Sequence, residues 1–187
     1  MATAVSQESI CSLVEVGTLE LKTEAGSKPD YNGVVVAEDI LLVTDENAYN
    51  LQVYRRLDGK LMSSSHRLET YPMGVCLISK TEVAVCLVNS TIVILSFKSI
   101  DDVTLLKTFN VKTGFIDCQS VAKWNPDKLI VSGRNWDDDY MFYWCVVNLT
   151  DGRVDSTHKV CKGSFDYRIS HMAIKNDTVY ISCQTFP

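Results

Sequence analysis

The sequence predicts an all-β fold assembled from a repeated four-stranded unit of roughly 40 to 50 residues, a partial β-propeller of antiparallel blades. Three observations predict it. Val, Ile and Thr supply 47 of the 187 residues against 8 Ala, a balance that favours strands over helices. Short apolar runs recur in a fixed order, too brief for helices and bounded by turn chemistry. The residues that open the second run of each copy, Asp39, Glu82, Lys128 and Thr178, lie 43, 46 and 50 positions apart, which are blade lengths.

In chain order, residues 1–15 read as a flexible tail and residues 16–187 as the propeller array. Leu19 to Thr23 reads as the outer strand of a preceding blade. The first full blade, about 31–67, takes its inner strands from the runs at Asn32 to Val36, Asp39 to Thr44 and Asn50 to Tyr54. Asp58-Gly59 then signals a hairpin into the more polar Lys60 to Arg67, as suits an exposed outer strand. The second blade, about 73–111, repeats this with Gly74 to Ile78, Glu82 to Cys86 and Thr91 to Leu95. The third, about 118–160, uses Ser120 to Trp124, Lys128 to Ser132 and Tyr140 to Trp144, with Asp151-Gly152 before the polar run Arg153 to Val160. A half blade, 169–187, carries His171 to Ile174 and Thr178 to Ser182. The inner runs are apolar without alternation because a neighbouring blade packs on each of their faces.

The composition excludes several classes. Hydrophobic and charged fractions of 46% and 22% are ordinary for a globular chain. A net charge of −5 provides no general attraction to phosphate backbones or anionic lipid. The longest charge-free run, Val83 to Phe97, is 15 residues broken by Asn89 and Ser90, short of the about 20 that a spanning helix needs. The amino terminus lacks the basic start and apolar stretch of a secretory signal, so a cytoplasmic location is expected. The seven cysteines contain no C-x-x-C pair, and Cys76, Cys86, Cys118, Cys145 and Cys183 sit inside apolar runs as small hydrophobes.

The order of Asp39 to Asp45, a short gap, and Asn50 to Tyr54 resembles the blade core of NHL-type (YVTN-like) propellers: an acidic residue, an apolar triplet, an Asp and then an Asn. Pro72 to Cys76 with Thr81 to Val85, and Leu129 to Ser132, are similar to the following blades. The likeness is greatest to the carboxyl-terminal propellers of invertebrate tripartite-motif (TRIM-like) proteins. It implies a non-catalytic module resembling the substrate-recognition end of a TRIM-like ubiquitin ligase. The chain departs from that family in having no RING, B-box or heptad coiled coil, so ligase activity would require a RING supplied elsewhere. It also departs in supplying about three and a half blades where a closed NHL propeller usually has six.

No catalytic residue, cofactor or metal site is expected. His66, His158 and His171 are dispersed, and Asp137 to Asp139 lacks the alternating spacing and glycine of a calcium loop. The loop Arg134 to Tyr140 combines an arginine with aromatics, the types enriched in binding hot spots. In propeller order, the loops between second and third strands share a face with the connections between blades. That face gathers Arg134, Trp136, Tyr140, Tyr49, Tyr71, Phe115 and Tyr167 as binding candidates, the alternative being that Trp136 folds back onto its own blade. A protein partner is expected. RNA is the alternative partner, disfavoured because dispersed basic residues are outnumbered by acids, 23 to 18. No membrane contact is expected, and self-association through the open blade edges is.

Overall fold

A computed structural model of the chain describes residues 28–58, 60–111, 117–135, 141–162, 167–175 and 178–185. The tail and the outer-strand reading at Leu19 to Thr23 lie outside these residues. The described chain is all strand and turn. The first sheet comprises β1 (Tyr31–Ala37), β2 (Ile40–Asp45), β3 (Asn50–Leu57) and β4 (Lys60–Arg67), hydrogen-bonded in that order. The second runs β5 (Pro72–Leu77), β6 (Glu82–Leu87), β7 (Thr91–Ser99), β8 (Asp102–Asn110), and the third β9 (Asp117–Asn125), β10 (Lys128–Asn135), β11 (Met141–Asn148), β12 (Val154–Lys162). A two-stranded sheet, β13 (Tyr167–Lys175) with β14 (Thr178–Thr185), follows. Every pairing is antiparallel between strands consecutive in sequence. The innermost strands pack side by side, β1 on β5, β5 on β9 and β9 on β13.

The core lies between blades. One cluster joins Ala37, Leu42, Leu51 and Val53 of the first blade to Val75, Val83, Val85, Leu87 and Leu95 of the second. The other joins Cys76, Ala84, Cys86, Ile92 and Ile94 to Cys118, Val121, Leu129 and Val131 of the third. The second blade therefore divides its residues alternately between two interfaces, and Val83 to Leu87 is fully buried on both faces. That double burial is why the inner strands read as continuous apolar runs. The outer strands behave oppositely: every residue of β4 is exposed or half-buried, and β8 buries only Phe109.

A one-residue register shift recurs at the start of each inner strand, skipping Asn32, Met73, Gln119 and Ser170. The residues that follow are Gly33, Gly74, Ser120 and His171, so the bulge aligns the four blades residue by residue. Strands converge here. A Cβ on Gly74 would stand 3.0 Å from the Ser120 Cα and 3.2 Å from the Val121 nitrogen of the next blade. Polar contacts also cross the boundaries: the Thr44 hydroxyl donates to the Met73 carbonyl at 3.2 Å, Ser64 to the Ile100 carbonyl, and the Lys123 ammonium to the Ile78 carbonyl.

The Asp151-Gly152 turn has a second task. Gly152 adopts φ +73°, and a Cβ there would lie 2.6 to 2.9 Å from ring and Cβ atoms of Phe109 on the preceding blade. Gly152→Ala is expected to destabilise the fold by about 2 to 4 kcal/mol, combining left-handed strain with overpacking. Urea titration checks this; an unchanged midpoint would show that the Phe109 ring moves aside freely.

Candidate functional site

The antiparallel order places the turns between second and third strands at the same end of the array as the connections between blades. Two backbone hydrogen bonds hold each of the first two such turns to the segments that enter and leave its own blade. Leu68 N–H donates to the Tyr49 carbonyl at 2.7 Å, and Val111 N–H donates to Ser90 at 2.9 Å in the next blade. On the other side, Glu46 N–H donates to Asp30 at 2.8 Å and Val88 N–H to Tyr71 at 3.0 Å. Tyr49 and Ser90 hold equivalent places before the third strand, and both are left-handed, with φ 54° and 61°. A non-glycine residue in that region is uncommon and persists where its surroundings impose it. Here the bond that prolongs each blade's ladder of third and fourth strands by one rung imposes it.

Beneath the first of these turns lies a buried polar network. Asp45 and Thr44 are fully buried, and Asn50 and Gln52 nearly so. The Asp45 carboxylate accepts the N–H groups of Asp30 at 3.2 Å and Ala48 at 3.3 Å with one oxygen, and the Gln52 amide at 3.0 Å with the other. The Gln52 carbonyl oxygen in turn accepts the Tyr54 hydroxyl, whose ionisation burial pushes well above the ordinary phenol range. Asp45 thereby fixes the turn that presents Tyr49.

At the surface, the Tyr49 and Tyr71 rings meet with centroids 4.4 Å apart and planes inclined at 39°. The Tyr71 hydroxyl and partial desolvation raise the Tyr49 phenol above its ordinary range. Tyr71 is 39% exposed, and beside the pair a recess of about 440 Å³ is lined by Tyr49, Arg67, Leu68 and Glu69. An aromatic pair, a cation, an anion and an aliphatic side chain on a backbone-braced rim can take an extended peptide segment, stacking on its apolar groups and pairing with its charges.

The structure thus joins two of the residues singled out from the sequence, Tyr49 and Tyr71. Trp136, Tyr140 and Phe115 lie outside the described residues. Tyr167 opens β13 at this same end, and its side chain is outside the described part. Arg134 requires correction. Its place in β10 buries it to 6% exposure, and its Nη2 lies 3.2 Å from Asp117 Oδ2, a carboxylate equally buried in β9. Its charge serves the fold and is not presented to a partner. Arg67 and Glu69, the charged members of the recess, escaped the sequence reading because they lie at a strand end and in a connection with no motif around them.

Other surfaces carry less. A groove of about 350 Å³ follows the inner strands from Asn32 to Val36, past Gly74 and Ser120, to Met172, lined mainly by glycine, alanine and valine residues with Lys123 among its few polar groups. Arg55 pairs with Asp39 at 2.6 Å and Lys128 with Asp155 at 2.8 Å, both partly exposed. Lys128, aided by Arg153, holds the Asp155 carboxyl below its usual range. Cys76, Cys86, Cys118 and Cys145 are buried free thiols, all pushed upward by burial, Cys76 and Cys118 to about 12. Among the described residues, no three His, Cys, Asp or Glu side chains are grouped to hold a metal, and no helix is long and apolar enough to cross a membrane.

The chain matches no protein-family model and no curated protein by sequence. Its fold matches solved structures. The Cps50 (Swd1) β-propeller domain of Myceliophteria thermophila superposes with a TM-score of 0.60 at 11% identity, covering 85% of this chain and 51% of that one. The computationally designed Ika4 protein gives 0.59 at 11% identity, over 91% of this chain and all of that one. BamB from Moraxella catarrhalis gives 0.54 at 14% identity, over 82% and 44%. The chain thus spans about half of the Cps50 domain and less than half of BamB. At these identities the likeness concerns the fold alone: three four-stranded blades and a two-stranded fourth, arranged as in a β-propeller.

Proposed function

We propose that the chain is a non-catalytic protein-binding propeller module that engages an extended peptide segment at the face carrying Tyr49, Tyr71, Arg67 and Glu69. The observation that carries this reading is the surface pair of half-buried Tyr49 and exposed Tyr71, each braced by a backbone hydrogen bond that prolongs its own blade's ladder, at the lip of a recess. Aromatic side chains bury large surfaces at small entropic cost, and a rigid strand scaffold leaves its connecting loops free to specialise. The blade-core resemblance to TRIM-like propellers supports a role as the recognition end of a ligase whose RING lies on another part of the protein or on a partner. A cytoplasmic location accords with that role. The buried thiols favour the non-catalytic reading, since burial holds them protonated.

RNA is the weaker reading. Three of the dispersed cations are already paired within the chain: Arg55 with Asp39 at the surface, Lys123 with a carbonyl and Arg134 with the buried Asp117. Selection of a displayed random peptide library on the chain should return binders that Tyr71→Ala weakens by at least about tenfold, as truncating an aromatic anchor does. Leu105→Ala, on the outer strand β8, should leave them unchanged. Equal affinity in both variants would place recognition elsewhere. Binding of a single-stranded RNA pool that collapses between low and moderate salt would replace the protein reading by the RNA one.

A further inference from the structure

The bulges make it possible to ask what each inner-strand position does in every blade. One residue past the aligned glycines and their counterparts stand Val34, Val75, Val121 and Met172; three past stand Val36, Leu77, Lys123 and Ile174. These positions face the preceding blade. Val75 and Val121 are 8% and 4% exposed because that blade covers them, and Met172 and Ile174 are half-buried. In the first blade the same positions are open: Val34 is 60% and Val36 63% exposed.

The opposite face tells the complementary story. Two residues past the bulge stand Val35, Cys76, Ala122 and Ala173, which pair across the ladder with Leu42, Ala84, Ile130 and Tyr180. These positions face the following blade. Leu42, Ala84 and Ile130 are fully buried, whereas Tyr180 is 56% exposed and Ala173 is exposed beside it. Among the described residues the array therefore presents two open apolar faces, each the counterpart of a surface that is covered between consecutive blades.

We propose that a second copy of this chain covers them: the Ala173/Tyr180 face of one copy packs on the Val34/Val36 face of the other, twice, in a closed ring. The interface is already present within the chain, where β1 meets β5, β5 meets β9 and β9 meets β13, so the required complementarity is that of consecutive blades. Measured against the Cps50 propeller domain, two copies supply about one full turn, since 85% of this chain superposes on 51% of that domain. A head-to-tail contact that completes one turn generates a ring, and one that fails to close generates filaments. The proposal is independent of the Tyr49/Tyr71 face, which lies on the rim and stays accessible.

Sedimentation equilibrium of the 187-residue chain should give twice its 20.9 kDa mass. Val36→Lys and Tyr180→Lys, tested singly, should each weaken association by about a hundredfold, because a lysine at an apolar contact must be desolvated. Both positions are exposed in the single chain, so circular dichroism should stay unchanged. Under oxidation, Val34→Cys mixed with Tyr180→Cys should cross-link into a dimer beyond the wild-type background, and neither should do so alone. A native monomer, self-cross-linking of Val34→Cys, or a ladder of larger species would each overturn the closed pair. So would a double variant that cross-links within one chain, since that would show that the two faces meet in a single copy.

Discussion

Asp117→Ala is expected to lower the folding stability by about 3 to 5 kcal/mol, a large fraction of what a domain of this size possesses. Asp117 and Arg134 are direct register partners on β9 and β10, with 3.2 Å between carboxylate and guanidinium and side chains 9% and 7% exposed. Truncating the acid leaves the guanidinium in a site that water does not reach, and the desolvation of that cation is then no longer offset by its partner. Removing both charges should cost far less: Asp117→Leu with Arg134→Met is expected to unfold within about 1 kcal/mol of the native chain, because well-packed apolar pairs often replace buried ion pairs without loss. Urea unfolding of Asp117→Leu, Arg134→Met and the double variant closes the cycle. A loss below about 1 kcal/mol in Asp117→Ala would mean that solvent screens the pair, and Arg134 would regain its standing as a surface residue.

Arg134 also shows where sequence reading stops. Its neighbours in sequence, Asn135 and Trp136, suggested an exposed recognition loop, whereas its environment is decided by a strand 17 residues earlier. A charge at the end of one apolar run, opposite a charge of the other sign at the start of the run before, is the signal that was there to be used. The fold class was far more legible. Burial on both faces of strands such as β6 leaves an unbroken apolar run, and the polar outer strands and Asp-Gly turns punctuate those runs at nearly constant intervals. Tyr49 and Tyr71 were placed on one face from strand order alone. That their rings touch was not legible, because it depends on a left-handed Tyr49 held by Leu68, and tyrosine gives no sign of that conformation. Tyr180 lies within the run Thr178 to Ser182 of the half blade, and only its register with Ala173 shows which blade face it occupies.

The largest response should come from alkali. Cys76, Cys86, Cys118 and Cys145 share one core cluster between the second and third blades, and burial disfavours the thiolate of each. An ordinary thiol titrates near 9, whereas Cys76 and Cys118 are pushed up to about 12. The native state thus holds these protons more tightly than the unfolded chain. The stability that depends on them is complete below pH 9 and is lost as the pH climbs from 9 toward 12. Each thiol loses about 1.4 kcal/mol per pH unit in that window, so four together lose about 5 to 6 kcal/mol by pH 10, comparable with the whole stability of a domain. Tyr54, whose ionisation burial also raises, adds to the loss at higher pH. Cooperative unfolding is therefore expected between about pH 10 and 11, followed by circular dichroism, with most of the thiolate absorbance appearing in the same transition because burial disfavours each thiolate while the blades stay packed. Cys118→Ala removes one titrating group together with some packing; at matched starting stability its transition should be shallower in pH. A chain that keeps its strand signal at pH 11.5, or that shows the four thiolates before its structure melts, would mean that water reaches the core between these blades and that their contact is looser than the buried ladder of Ala84, Cys86, Cys118 and Val131 implies.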